Sequence, residues 1–159
     1  MWMGGMFDLT STKQNYIRSA GHLGWAFPAS LGAKCALPDR PVICFTGDAG
    51  FWYHIAEIEL AVRWKINSVT VVNNNSAGNQ SKRGFDRAYG GEQTEQAHEL
   101  WHFTKVNFAK IAEEMGAVGI RVEDPGEIKG ALEKALKMDL PVIIDVVTDI
   151  DALAPLAVS

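Results

Sequence analysis

A short turn, Gly47-Asp48-Ala49-Gly50-Phe51, stands between an apolar run and a helical pattern. Small residues in such a turn let a ligand approach the backbone, and a helix start offers unpaired N–H groups to an anion such as phosphate. An aspartate in the same turn repels bare phosphate unless a divalent cation lies between them. Asp48 beside a diphosphate is therefore a Mg²⁺ site in outline, because Mg²⁺ takes one or two protein carboxylates and fills its shell with phosphate oxygens and water. A second group, Asn73-Asn74-Asn75, ends the next apolar run. Asparagine presents a neutral carbonyl oxygen to a hard cation without adding charge near the diphosphate. If the two runs are neighbouring strands, their carboxyl ends bring Asp48 and Asn75 together. Each motif alone has a plainer reading, a strand-to-helix connection for the first and an Asx turn for the second. In order, each after a strand, they point to one site.

The elements that must position this site can be read from hydrophobic period. Four apolar, β-branched runs, 41–46 (PVICFT), 68–72 (SVTVV), 118–122 (VGIRV) and 141–147 (PVIIDVV), predict strands. Their apolarity is continuous rather than alternating, as in a parallel sheet covered on both faces. Between them, 51–64 carries apolar residues at three- and four-residue spacings. The stretch 108–115 is amphipathic and stops at Gly116, and 127–138 follows an Asp124-Pro125-Gly126 start signal. Alternating strands and helices predict an α/β fold in three layers, a mainly parallel sheet with helices on both faces. In such sheets ligands bind outside the carboxyl ends of the strands, where Asp48 and Asn75 fall. The polar stretch 76–104, with Gly78, Gly84, Gly90 and Gly91, reads as a long loop or lid with one short helix.

Composition excludes several other classes. The 159 residues, 47% of them apolar, suit a single domain over 1–159, with no repeat or linker-like tract. A net charge of −4 with no basic stripe gives no reason to expect nucleic acid or an anionic membrane as partner. The apolar runs are too short to span a bilayer, and the first residues, MWMGGMFDLTS, lack the pattern of a secretory signal. Two cysteines, Cys35 and Cys44, cannot make a disulfide framework, so a reducing cytoplasm is expected, with both thiols buried and inert. Of the four histidines, His98 and His102 fit an H-E-x-x-H zinc-hydrolase pattern, His98-Glu99-Leu100-Trp101-His102. That reading needs a third ligand, and His22 and His54 lie far upstream.

The span from Gly47 to Asn75 resembles the thiamine diphosphate motif, Gly-Asp-Gly followed at a distance by Asn-Asn. Upstream, Gly21-His22-Leu23-Gly24-Trp25-Ala26-Phe27-Pro28-Ala29-Ser30-Leu31-Gly32-Ala33 looks like the glycine-rich segment that precedes this motif in acetolactate synthase and related 2-oxoacid decarboxylases. Downstream, 108–128 resembles the family's helix, strand and Pro-Gly turn. The resemblance covers most of 18–148 and implies the C-terminal, diphosphate-binding domain of such an enzyme, with thiamine diphosphate and Mg²⁺ as cofactors. Carried over by position, Asp48, the side chain of Asn75 and the backbone carbonyl of Ala77 would ligate Mg²⁺. The N–H groups of Ala49 and Gly50 would hold the diphosphate, with Gly47 and Gly78 alongside. The Gly21 carbonyl would accept from the aminopyrimidine. Leu23, where the family often has Met, would be the apolar wedge that bends the cofactor, with His22 beside it. Three departures stand out: Ala49 replaces the motif's last glycine, His22 occupies a position where acetolactate synthases have a small hydroxyl residue, and 76–91 is unlike their segment.

The resemblance also implies what lies elsewhere. In the family a glutamate on a separate pyrimidine-binding domain activates the cofactor, and no such domain is expected in these residues. The family's domain opens with a strand carrying an Asp-x-Gly turn ahead of the MWMGG segment, so the domain is expected to be N-terminally incomplete and to lack its first strand. The resemblance implies a partner pyrimidine domain on another segment or chain, a homo-oligomer, and decarboxylation of a 2-oxoacid with aldehyde release or carboligation. The other expectations are a non-catalytic cofactor-binding remnant, a separate subunit of a two-subunit thiamine diphosphate decarboxylase, and the zinc hydrolase.

Overall fold

The computed structural model describes residues 2–19, 21–92 and 94–152. The β-branched runs form strands β1 (Ile43–Gly47), β2 (Val69–Asn74), β3 (Val118–Val122) and β4 (Val142–Val147). All pair in parallel, in the spatial order β1-β2-β4-β3. Gly47 pairs with Asn73, so the strands that carry the two motifs are direct neighbours and end at the same edge.

Helices α1 (Trp2–Met6), α2 (Ala26–Ala36), α3 (Asp48–Trp52), α4 (Glu57–Arg63), α5 (Asn79–Ala88), α6 (Glu95–Trp101), α7 (Phe108–Glu114) and α8 (Ile128–Ala135) accompany the strands, with a 3-10 turn at Pro125–Glu127. Side chains alternate across each strand, and the two faces bury separate cores. On one face Phe27, Phe51, Ile58 and Phe108, from α2, α3, α4 and α7, pack over Cys44, Val72 and Ile143. Phe51 lies 5.0 Å from Phe27 and 5.4 Å from Phe108 between ring centroids, a tilted and an edge-on contact that fix α3 against both helices. On the other face Ala131 and Ala135 of α8 cover Val71, Val142, Ile144 and Val146. The three-layer α/β fold expected from the sequence is the fold observed. β1 is a sheet edge, and its Ile43 and Phe45 are exposed.

Local chemistry sets the helix boundaries. Asn107 caps α7 by accepting from the Lys110 N–H at 2.9 Å, and the chain leaves it through Gly116 at φ +87°. Asp124 accepts from the Gly126 N–H at 2.8 Å in the turn before α8. A Cβ on Gly119 of β3 would stand 2.1 Å from the Ala109 carbonyl oxygen, so α7 lies directly on that strand.

Three local expectations are corrected, for 51–64, for 76–104 and for Cys35. The stretch 51–64 is not one helix: α3 and α4 are joined by a turn with three-residue bonds, His54 N–H to the Phe51 carbonyl and Ile58 N–H to the Ile55 carbonyl, both 3.1 Å. Phe51 and Ile58, on either side of that turn, enter the same core, each wholly buried. The stretch 76–104 holds two helices rather than one. α5 buries no residue, so it has no apolar stripe to read. The glycine-rich segment after Gly24 is helical as α2, with Pro28 in its first turn, where a missing N–H costs nothing. Cys35 is exposed rather than buried, whereas Cys44 is buried and its thiol is pushed up to about 12 by desolvation.

Candidate functional site

β1 runs out at Gly47 and the chain turns directly into α3, which places Asp48 at the carboxyl edge of the sheet. Asp48 is buried, at 3% exposure. Its Oδ1 accepts from the Ala49 N–H at 2.8 Å, and its Oδ2 accepts from the Ala77 N–H at 3.2 Å. The same Ala77 N–H also donates to Asn75 Oδ1 at 3.1 Å. One backbone donor thus gathers the carboxylate and the carboxamide oxygen proposed from the sequence. Burial pushes the Asp48 carboxyl up, against the opposing pull of N–H groups from Ala49, Ala77, Ser76 and Asn75. Among the described residues no basic side chain pairs with it. A buried carboxylate with neutral donors only is electrostatically suited to a cation.

The loop after β2 is fixed in an uncommon conformation. Ser76 has φ +55°, a left-handed backbone that non-glycine residues adopt rarely. Asn74 Oδ1 accepts from its N–H at 3.3 Å and from its hydroxyl at 3.4 Å. From the other side, the Phe103 N–H donates to the Ser76 carbonyl at 2.8 Å and the Gly78 N–H donates to the Trp101 carbonyl at 2.7 Å. The exit of α6 therefore clamps the segment that holds Asn75, Ala77 and Gly78. Sequence reasoning missed this clamp; its available signal was Thr94, which caps α6 by accepting from the Ala97 N–H at 3.2 Å.

The glycine-rich loop reaches the same place. Gly24 has φ +90°, and a Cβ there would stand 3.0 Å from His54 and Tyr53 atoms, so glycine is required twice over. A Cβ on Gly50 would stand 3.4 Å from the Gly24 nitrogen and 3.5 Å from Leu23 Cδ1, which places the loop against the first turn of α3. Leu23 is a large apolar side chain left 59% exposed beside that turn. Gly21, at φ +73°, and His22 are exposed on the same loop. A groove of about 300 Å³ lined by Phe45, Val71, Asn73 and Asn75 adjoins the site on the α8 side of the sheet. A larger cavity, about 410 Å³, lies at the amino ends of the strands among Arg40, Trp64 and Asp139, remote from Asp48.

His98 lies on α6 and His102 is its extended C-cap residue, with ring centroids 6.3 Å apart. Among the described residues no group of three His, Cys, Asp or Glu is arranged to hold a metal, so the zinc-hydrolase pattern has no third ligand there.

Comparison with known proteins fits this geometry. Residues 1–146 match the family described as thiamine pyrophosphate enzyme, C-terminal TPP binding domain. A probable acetolactate synthase large subunit of Methanococcus aeolicus is 33% identical over 151 residues, covering 94% of this chain and 24% of the relative. A sulfoacetaldehyde acetyltransferase of Alcaligenes xylosoxydans is 36% identical over 149 residues, covering 84% of this chain and 23% of the relative. Among solved structures, the thiamine diphosphate-dependent 4-hydroxybenzoylformate decarboxylase of Rhodococcus jostii superposes with a TM-score of 0.70 at 32% identity, over 81% of this chain and 24% of that one. The chain thus spans about a quarter of the length of these relatives. It belongs to the family of C-terminal, thiamine diphosphate-binding domains of thiamine diphosphate-dependent enzymes.

Proposed function

We propose that this chain binds thiamine diphosphate through Mg²⁺, as the diphosphate domain of an acetolactate synthase-like 2-oxoacid decarboxylase or carboligase. The observation that carries the reading is the sharing of one N–H, that of Ala77, by Asp48 Oδ2 and Asn75 Oδ1. With the Ala77 carbonyl, those two oxygens form the protein's share of a Mg²⁺ shell, and the buried Asp48 gains the countercharge it lacks. The N–H groups of Ala49 and Gly50 receive the diphosphate between Gly47 and Gly78. The Ala49 N–H, held by Asp48 Oδ1 at 2.8 Å, is shared on binding. The Gly21 carbonyl accepts from the aminopyrimidine, next to His22, and the exposed Leu23 is the wedge beneath the cofactor. When bound, thiamine diphosphate supplies the electron sink that decarboxylation of a 2-oxoacid requires.

In this reading the activating glutamate comes from a pyrimidine-binding domain on another segment or chain, the assembly is a homo-oligomer, and these residues alone do not turn over substrate. The outer edge of β1, unpaired among the described residues and with Ile43 and Phe45 exposed, supports a further strand of the domain joining there. The cytoplasm is the proposed location, on the strength of two unpaired thiols. Isothermal titration with thiamine diphosphate tests the core of the proposal. Binding is expected in Mg²⁺, with loss on chelation and in Asp48→Ala. Binding indifferent to both treatments, or no binding to the wild-type chain, overturns it.

A further inference from the structure

Asp145 lies in the middle of β4, wholly buried, and belongs to no motif the function has absorbed. Its strand position turns it toward α7, on the same face as Ile143, while its neighbours Ile144 and Val146 enter the opposite core. Its Oδ2 accepts from the Phe108 N–H at 2.8 Å and from Arg121 on β3 at 2.6 Å. Its Oδ1 accepts from Asn74 Nδ2 at 2.8 Å. The Asn74 amide is thereby oriented, since Nδ2 also donates to the Val106 carbonyl at 3.0 Å and only Oδ1 remains to face the loop. That Oδ1 is the atom that accepts from Ser76, the residue at φ +55° between Asn75 and Ala77.

We propose that Asp145 is a positioning residue for the cation site, acting through the Asn74 carboxamide. The chain of contacts runs from a buried carboxylate to an oriented amide, and from the amide to the left-handed turn that presents Asn75 Oδ1 and Ala77 to Asp48. The inference rests on the proposed Mg²⁺ role of Asp48 and Asn75, and assigns a task to a residue outside that set. Each link has a chemical reason. A left-handed backbone at a serine persists only where its surroundings hold it. An amide with both acceptors on its nitrogen side cannot turn over without setting oxygen against oxygen.

The substitution Asp145→Asn tests this link selectively. The new amide keeps its oxygen toward Phe108 N–H and Arg121, because its nitrogen there would face two donors. Its nitrogen then faces Asn74 Nδ2, donor against donor, and the Asn74 amide loses its orientation. The wild-type chain, Asp145→Asn, Asn74→Ala and Arg121→Lys are each titrated with Mg²⁺ at fixed thiamine diphosphate by calorimetry, and melted in parallel by circular dichroism. Asn74→Ala leaves Asp145 with its partners on Phe108 and Arg121, so it keeps the test open should Asp145→Asn fail to fold. Arg121→Lys disturbs the other side of Asp145 and makes no direct bond to Asn74, its one shared partner being the Val106 carbonyl, which Arg121 reaches at 3.5 Å and Asn74 at 3.0 Å. The expected result is a rise of about 10- to 100-fold in the Mg²⁺ half-saturation of Asp145→Asn and Asn74→Ala, the range typical of residues that hold metal ligands in place. Arg121→Lys is expected to lower the melting temperature with Mg²⁺ half-saturation within about twofold of wild type. Wild-type binding with unchanged Mg²⁺ half-saturation in both amide-link variants overturns the positioning role alone. Equal weakening by Arg121→Lys also overturns it, in favour of general damage to the core. No Mg²⁺-dependent binding in the wild type overturns the positioning role together with the function on which it rests.

Discussion

Gly119 offers a test of the packing that holds the site, because its effect can be worked out from one distance. A Cβ there would lie 2.1 Å from the Ala109 carbonyl oxygen, 2.6 Å from its carbon and 2.8 Å from its Cα, all backbone atoms of α7. Ordinary contact begins near 3.4 Å, so Gly119→Ala forces α7 away from β3 by about 1 Å. Overpacking of this kind costs about 1–3 kcal/mol. The retreat also stretches the bond from the Phe108 N–H to Asp145, now 2.8 Å, beyond hydrogen-bonding range. Loss of a bond to a buried charged group adds about 1.5–3 kcal/mol. The total is about 2.5–6 kcal/mol, or roughly 5–24 °C in melting temperature for a chain of this size. Gly130→Ala is the matched control: Gly130 sits within α8 with nothing inside 4 Å of its Cβ position, so the same methyl should stabilise by about 0.4–1 kcal/mol. Urea denaturation followed by circular dichroism measures both. A Gly119→Ala variant within about 1 kcal/mol of wild type, or two alanine variants shifted in the same direction, refutes the packing argument.

Further outcomes follow from the same contacts. Thr94→Ala removes the cap of α6 and should cost about 1 kcal/mol; because the end of α6 holds Gly78, hydrogen exchange at the Gly78 and Phe103 amides should accelerate as well. A thiol reagent should modify Cys35 rapidly in the native chain and Cys44 only after denaturation, and fast double labelling would contradict the burial of Cys44. Cys44 also predicts an alkaline limit. Its folded pKa is raised from 9.0 to about 12 by burial, so its contribution is fully present below pH 9 and is lost as pH climbs toward 12. Cys44→Ala should flatten the stability profile in that window, and an unchanged slope would exclude this thiol as the cause.

The centre of the sheet was legible because β2 and β4 are buried on both faces: 68–72 and 141–147 contain so few polar residues that no exposed element fits them, whereas the edge strand β1 is apolar yet exposes Ile43 and Phe45. The site was legible for a different reason, since an aspartate and three asparagines at the ends of apolar runs break the pattern around them. Period failed where burial was absent or discontinuous. α5 buries no residue, and α3 and α4 place Phe51 and Ile58 in one core across an intervening turn. Neither case leaves a mark in residue spacing. The clamp on the Asn75 loop left only an indirect trace, the Thr94 cap of α6, because it is made of backbone atoms of Trp101 and Phe103, and any residue can supply a carbonyl. Asp145 was legible only as an anomaly, one acid inside an apolar strand.

Two buried aspartates, Asp48 in the turn after β1 and Asp145 within β4, have surroundings that differ in kind. Asp145 is satisfied within the chain, by the Arg121 guanidinium, the Phe108 N–H and the Asn74 amide. Asp48, almost as deeply buried, receives hydrogen bonds from backbone N–H groups and pairs with no cation among the described residues. This fold can therefore place an arginine against a buried carboxylate, and does so two strands away. A carboxylate left uncompensated for no purpose would be a net cost, because an unpaired buried charge destabilises far more than a paired one. The difference makes sense if the missing charge at Asp48 arrives with a ligand. On that view Asp48→Asn should relieve the apo chain of buried charge while abolishing its stabilisation by Mg²⁺ and thiamine diphosphate. Thermal melts of both proteins, with and without ligand, read the two effects separately. A variant still stabilised by the ligand pair would show that Asp48 is not where the cation binds.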